Sequence, residues 1–231
     1  MIYLIEYEKL ILTFNSKLIT FNYLMNDFSQ FINNPVATVI LLATIATSLM
    51  AWNDPILMAR FLLNPFKIVR SKEYYRTLSS GMIHADGMHL FFNMYSFYMF
   101  AFILEQIMGH VIFAIFYVLS MIMSHIYVIA KHQNNPAYNA LGASGAVSGL
   151  VLAFIMWNPS WNLRFIFLPV EIPGWLFGIL YMAYSQYAAK KGNDNIGHDA
   201  HLWGALSGVI LAPILSQEIR NGFLSWITNL I

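Results

Sequence analysis

Charged residues and cysteine are what this sequence has least of. Only 10% of its 231 residues are Asp, Glu, Lys or Arg, and none is cysteine. A soluble domain carries about 25% charged residues to solvate its surface, so much of this surface faces something other than water. The absence of cysteine excludes disulfides, thiolate nucleophiles and cysteine-ligated metals. A net charge of +1 without a cluster of Lys and Arg argues against nucleic acid as a partner.

Hydrophobic residues, by contrast, make up 58% of the chain and occur in long runs. A helix that crosses a bilayer needs roughly 20 mostly apolar residues, with about 17 as the lower limit. Four stretches meet this requirement, at residues 36–52, 90–108, 111–130 and 172–189. Two shorter apolar stretches, 144–157 and 201–215, are acceptable inside a bundle beside a water-filled cavity. The pattern predicts an all-α membrane protein with six transmembrane helices, in contact with the lipid bilayer.

The chain divides into three predicted parts. Residues 1–34 mix charged and apolar residues without a cleavage-site pattern, so we expect a cytoplasmic or interfacial extension and not a signal peptide. Residues 35–215 form the membrane domain, and within it a long first loop, residues 53–88, mixes apolar runs with basic residues and should lie half in the interface. Residues 216–231 form an amphipathic tail with apolar residues at helical spacing, namely Ile219, Phe223, Ile227 and Leu230.

The positive charges of the loops bear on the orientation in the membrane. If the N-terminus lies inside, four Lys and Arg fall in the inner segments and eight in the outer ones. The inner ones are Lys9, Lys17, Arg164 and Arg220, and the outer ones are Arg60, Lys67, Arg70, Lys72, Arg76, Lys131, Lys190 and Lys191. The positive-inside rule favours the opposite orientation. Because five of the eight lie in the long first loop, where the rule applies poorly, the loop charges leave the orientation open.

Polar residues inside apolar helices are energetically unfavourable and therefore indicate functional sites. Ser144 lies in Gly142-Ala143-Ser144-Gly145, at the predicted start of a short helix. The glycines permit a tight turn, and the free backbone N–H groups of a helix start can meet an oxyanion. Taken alone, the run is explained better by a serine helix cap with a small-residue packing face.

Small residues on two of the predicted helices indicate that these helices pack together. His201, Gly204 and Gly208 fall on one helical face, at spacings of three and four. Gly145 and Gly149 form a similar stripe four residues apart. Two such stripes allow two helix backbones to approach closely.

This packing would bring His201 beside Ser144, where the imidazole can take the proton of the serine hydroxyl. The alternative for His201 is a packing histidine that bonds to a backbone carbonyl. Asp199 lies two residues before His201 and projects from another side of the helix. We therefore expect a Ser–His dyad rather than a triad.

His89 and Asn93 are four residues apart and share one face of the second helix. An imidazole and an amide at these positions can donate hydrogen bonds to a developing oxyanion. Hydrogen bonds between packed helices are the competing explanation. The remaining histidines lack such a partner and are expected to be structural or loop residues: His84, His110, His125 and His132.

Taken in order, these motifs resemble the rhomboid family of intramembrane serine proteases. The family has His-x-x-x-Asn on its second helix, Gly-x-Ser-Gly at the head of the fourth, and Ala-His-x-x-Gly-x-x-x-Gly on the sixth. The matching segments run from His89 to Asn93, from Gly142 to Gly145 and from Ala200 to Gly208. The segment from Glu105 to Gly109 is similar to the Glu-x-x-x-Gly that ends the family's second helix, and His84 matches a structural histidine. The resemblance covers roughly residues 35–215.

The resemblance implies the following roles. Ser144 would attack the scissile carbonyl, with His201 as general base and then general acid. The backbone N–H of Ser144 and the side chains of His89 and Asn93 would form the oxyanion site. No cofactor or metal is implied. Substrates would be single-span transmembrane proteins, both termini would be cytoplasmic with the site open to the outer side, and the membrane would be a bacterial inner membrane. The oligomeric state is not indicated.

The sequence departs from the family at Ser148, where some members place a tyrosine that stacks on the catalytic histidine. The family's Trp-Arg of the first loop reads Tyr75-Arg76 here. One alternative is a catalytically inactive relative that binds transmembrane clients, although such relatives usually lack the serine or the histidine. Another is a metal transporter or metalloenzyme that uses His84, His89, His198, Asp199 and His201, but His-Asp-Ala-His does not place two imidazoles four residues apart.

Overall fold

The computed structural model describes residues 29–165, 168–191 and 197–230. Most of the predicted extension, residues 1–34, lies outside this part of the chain. In chain order the helices are α1 (Pro35–Asn53), α2 (Pro55–Phe61), α3 (Pro65–Arg70), α4 (Arg76–Ser79), α5 (Gly87–Met108), α6 (His110–His132), α7 (Ser144–Trp157), α8 (Gly174–Lys191), α9 (His198–Leu215) and α10 (Gln217–Thr228). A 3-10 turn, Ser80–Met82, follows α4, and a hairpin of β1 (Asn162–Phe165) and β2 (Leu168–Pro173) precedes α8.

The described chain is a helical membrane protein, as predicted. Helices α1, α5 and α6 are each long and apolar enough to cross a membrane. Helices α9 and α10 would together form a fourth such segment, but the chain bends by 104° between them. The predicted helix at residues 172–189 instead begins at Gly174, because residues 172–173 end strand β2. Pro173 explains the difference, since a proline disfavours the helical conformation of the residue before it.

Helix α7 lies in the middle of the bundle, where it packs against α5, α6, α8, α9 and α10. Eleven of its 14 residues are buried. At 1.5 Å per residue it is only about 21 Å long, short of the roughly 30 Å of a bilayer core. The neighbouring helices shield α7 from lipid, so it does not need the full length of a lipid-exposed span, as the sequence predicts.

A fully buried carboxylate fixes the start of α1 against the end of α5. Glu105 is 0% exposed, and its two oxygens accept the backbone N–H groups of Val36 at 3.1 Å and Ala37 at 2.7 Å. The imidazole Nδ1 of His110 lies 2.6 Å from the same carboxylate. A negative charge is favourable here because the first N–H groups of a helix have no partners within the helix.

The segment between α1 and α5, predicted as a long loop, contains three short helices and a 3-10 turn. Asp54 and Asn64 cap α2 and α3 by accepting backbone N–H bonds, and a proline follows each of them as the first helical residue. This Asx-Pro combination is a known start signal for helices. Helix α10 lies within the predicted tail, and its residue Ile219 is buried against the bundle.

Candidate active site

Three helices begin on the same side of the bundle, because successive long helices alternate in direction. Ser144 is the first residue of α7, His201 the fourth of α9 and His89 the third of α5. Each helix N-terminus presents free N–H groups and the positive end of a helix dipole. The arrangement therefore favours negative charge at the point where these three residues lie.

The structure places the Ser144 hydroxyl and the His201 imidazole within hydrogen-bond distance. Oγ of Ser144 lies 2.7 Å from Nε2 of His201. Both residues are half-buried, which leaves the pair accessible from one side. The serine can donate its proton only if the ring is neutral and carries its own proton on Nδ1.

Glycines on α7 and α9 produce this proximity. A Cβ atom on Gly204 would overlap the carbonyl oxygen of Gly145, and one on Gly208 would overlap that of Gly149. The two backbones are thus in direct contact at both pairs, as the small-residue stripes predict. Because Ser144 precedes the first pair and His201 lies one turn before Gly204, backbone contact brings their side chains together.

Gly142 shapes the turn that leads into Ser144. Its φ of +108° is one that residues with a side chain rarely adopt. A Cβ at this position would also lie 2.7 Å from Cε1 of His89. The imidazole of His89 therefore packs directly against the backbone of the serine turn.

His84 stabilises the same turn through a chain of hydrogen bonds. The N–H of Ala143 donates to Nε2 of His84 at 3.3 Å, so the ring proton is on Nδ1, 3.1 Å from the Ser48 hydroxyl. Ser48 in turn donates to the Met82 carbonyl. Burial lowers the pKa of His84 to about 3. The neutral ring thus fixes the residue immediately before Ser144.

Asn93 is buried one turn beyond His89, and its amide is partly engaged. Its Nδ2 donates to the backbone carbonyl of His89 at 3.0 Å, within the same helix. An amide nitrogen carries two hydrogens, so one of them serves this bond and the second remains for another acceptor. The structure thus brings His89 to the serine turn and places Asn93 one turn further along α5, bonded to the backbone of His89.

Tyr181, which the sequence did not single out, also contacts the site, together with Ser148 and His198. Ser148 donates to the carbonyl of Ser144 at 2.8 Å, and the hydroxyl of Tyr181 on α8 lies 2.6 Å from Ser148 Oγ. Since the carbonyl can only accept, Tyr181 is the donor to Ser148. The ring of His198 meets that of His201 edge-on at 6.0 Å. Nothing in the periodicity distinguishes Tyr181 from its neighbouring tyrosines, so these contacts could not be predicted.

The bond between Tyr181 and Ser148 should stabilise the docking of α8. We expect Tyr181→Phe and Ser148→Ala to show a coupling energy of roughly 0.5–1.5 kcal/mol in a double-mutant cycle of unfolding in detergent. Tyr187→Phe on the same helix is the control, because Tyr187 is 57% exposed. If the two replacements change the free energy of unfolding additively, the hydrogen bond between Tyr181 and Ser148 is contradicted.

Asp199 and most of the remaining histidines contact residues away from the Ser144–His201 pair. The Asp199 carboxylate forms an ion pair with Lys131 on α6, at 2.6 Å. Nδ1 of His125 bonds to the Thr77 carbonyl, and the ring of His132 stacks on Tyr138. Among the described residues, no group of three or more His, Asp or Glu side chains is arranged to hold a metal ion.

Comparison with known proteins places these observations in a family. The sequence profile of the rhomboid domain matches residues 71–218. A provisionally named rhomboid protein of Acanthamoeba polyphaga mimivirus is 37% identical over 143 residues, which cover 60% of this chain and 75% of that protein. A provisionally named rhomboid protease of Bacillus subtilis (strain 168) is 27% identical over 152 residues, covering 65% and 71%.

A chloroplast relative, rhomboid-like protein 11 of Arabidopsis thaliana, is 28% identical over 151 residues, which cover 62% of this chain and 53% of that protein. The three relatives thus come from a virus, a bacterium and a plant chloroplast. Together with the apolar helices, they support an integral membrane protein. They do not support the narrower expectation of a bacterial inner membrane.

Proposed function

Because the chain belongs to the rhomboid family, we propose that it is an intramembrane serine endopeptidase that cleaves transmembrane segments of other membrane proteins. The observation that carries the proposal is the 2.7 Å distance between Ser144 Oγ and His201 Nε2. A serine hydroxyl becomes a useful nucleophile when an adjacent base takes its proton. Here the backbone contact of two glycine-striped helices supplies the geometry.

In the proposed reaction, Ser144 Oγ attacks the scissile carbonyl carbon while its proton moves to Nε2 of His201. The tetrahedral intermediate collapses to an acyl-enzyme, and His201 gives the proton to the leaving amine. A water molecule then attacks the ester carbonyl while His201 takes its proton, and His201 returns that proton to Ser144 Oγ as the carbon–Oγ bond breaks, which releases the acid and regenerates the dyad. No cofactor takes part, and every proton is accounted for by the dyad and the water.

The negative charge of the intermediate needs donors that are already in place. We assign this role to the backbone N–H of Ser144, the imidazole of His89 and the second amide hydrogen of Asn93. His89 lies against the serine turn and Asn93 one turn beyond it, both near the start of α5. The helix dipoles that converge here act in the same direction.

For the membrane arrangement, we propose that α1 and α5 to α9 are the six spans. Helix α7 is about 21 Å long, so Ser144 would lie below the membrane surface, in a cavity that admits water. Both termini would be cytoplasmic and the site would open to the opposite side. Single-span proteins with small, helix-destabilising residues would be the substrates. Residues 1–34 would be an extension, and residues 216–231 would lie on the membrane surface.

A serine-directed fluorophosphonate tests the proposal against an inactive relative that only binds clients. We expect the detergent-purified protein to be labelled at Ser144, and labelling to disappear in Ser144→Ala. Peptides released from membranes by wild type and not by Ser144→Ala, identified by mass spectrometry, would give the cleavage site. Equal labelling and equal cleavage by the two proteins would exclude a serine protease.

A further inference from the structure

The first connection carries basic residues that the proposed reaction does not use. Arg60, Lys67, Arg70 and Lys72 lie on α2, on α3 and in the turn after α3, and all four are exposed. We call this set the basic belt. Within the described residues, none of the four forms an ion pair. Their charge is therefore available to an external partner.

The acidic residues of the same segment are already occupied. Asp54 accepts the backbone N–H groups of Ile56 and Leu57 as the cap of α2. Glu73 pairs with Arg76 at 2.6 Å, and this bond lowers the pKa of the Glu73 carboxyl. Neither carboxylate lies within ion-pair distance of a residue of the basic belt. Asp86, the third carboxylate of the connection, accepts the backbone N–H of His89 as the cap of α5. The segment thus presents four positive charges that form no ion pair with its own three carboxylates.

Apolar and aromatic side chains surround the basic belt. Ile56 is 77% exposed, Tyr74 64% and Val69 41%. Trp52, 37% exposed, stands at the end of α1 and marks the level at which the apolar helix ends. Apolar side chains, basic side chains and Trp or Tyr at a helix end are the composition of a segment that lies in a membrane interface.

Hydrogen bonds hold the segment together and join it to the turn that precedes Ser144. The Arg76 guanidinium is buried and donates to the carbonyls of Ala59, Arg60 and Leu62 at 2.6–3.0 Å. Leu63 and Ala140 exchange both backbone hydrogen bonds, at 2.9 and 3.0 Å. Ala140 lies two residues before Gly142. A displacement of the basic belt would therefore reach the serine turn through these hydrogen bonds.

We propose that the basic belt binds the headgroups of anionic phospholipids in the leaflet on the active-site side. Charge complementarity selects this partner: the four cations form no ion pair among the described residues and would meet lipid phosphates, while the neighbouring apolar side chains would enter the acyl region. Each basic residue near an anionic surface contributes about fivefold in affinity, which is roughly 1 kcal/mol. Occupation of the belt holds the first connection, and with it the serine turn, in one position.

Native mass spectrometry of the protein released from mixed bilayers tests the binding. The bilayers contain phosphatidylcholine and phosphatidylglycerol, and the measured quantity is the ratio of the two lipids retained. We expect wild type to retain phosphatidylglycerol preferentially, and Arg70→Gln/Lys72→Gln to lower the ratio by about 25-fold, a factor of about five for each residue. Added salt should weaken the preference of wild type more than that of the variant, because salt screens exposed charges.

Lys190→Gln/Lys191→Gln is the matched control, since it also removes two exposed cations on the active-site side but leaves the belt intact. An unchanged ratio in the belt variant, or an equal fall in the control, would overturn the proposal. Arg60→Gln/Lys67→Gln provides a second belt pair if the first does not fold.

The effect on catalysis rests on the proposed protease function and is measured separately. We expect cleavage several-fold faster in phosphatidylglycerol-containing vesicles than in phosphatidylcholine alone, and no such difference in the belt variant. Lipid retention without cleavage by any form of the protein would contradict the protease function and leave the belt in place. Cleavage without selective retention would contradict the belt alone.

Discussion

Cleavage of a transmembrane substrate is expected to fall by at least about 10³-fold when either Ser144 or His201 is replaced by alanine, and no further when both are replaced. The non-additivity follows because the serine is a nucleophile only while the histidine takes its proton. Any residual rate would come from the oxyanion site and substrate binding alone. The measurement is kcat and KM for wild type, both single variants and the double variant in one bilayer composition, with KM expected to change little.

Ser120→Ala is the control for this series. Ser120 is also buried beside α7, and its hydroxyl has no hydrogen-bond partner in the described part of the chain. Its removal should leave kcat within a few-fold of wild type. A double variant that loses the product of the two single effects would show that Ser144 and His201 act independently. The dyad would then be wrong even if both residues were important.

Gly204→Ala is expected to produce the second largest effect, with loss of both cleavage and stability. The added methyl group would overlap the Gly145 carbonyl oxygen, and neither helix backbone can yield locally. Overpacking of this kind typically destabilises by about 1–3 kcal/mol. The larger consequence is geometric, because separating α7 from α9 lengthens the Ser144–His201 distance, and a misplacement of about 1 Å can lower a rate roughly 100-fold.

Thermal unfolding in detergent and fluorophosphonate labelling measure the two consequences of Gly204→Ala separately. Gly87→Ala is the matched control, since a Cβ on Gly87, at the start of α5, meets no atom within 4 Å. We expect Gly87→Ala to unfold and to label like wild type. If Gly204→Ala behaves in the same way, direct backbone contact is not what brings the serine and the histidine together.

Much of this arrangement could be predicted from local patterns. Apolar runs located the long helices to within three residues at most ends, and α7 begins and ends where its run does. The Asx-Pro pairs before α2 and α3 were equally local signals, although the segment was interpreted as a loop. The hairpin before α8 was not predicted, because a short apolar run is compatible with either a strand or a helix.

The sequence by itself determined that this is a membrane protein, that glycine stripes allow two helices to touch, and that Ser144 and His201 stand at the ends of those stripes. Only the tertiary structure decided which groups occupy the remaining contacts. It joined Tyr181 to Ser148, engaged one amide hydrogen of Asn93, and formed no ion pair to the basic belt among the residues that the structure describes. The physical reason is that periodicity specifies which residues share a face of a helix, whereas the rotation and axial register of helices distant in sequence are set by packing across the whole bundle.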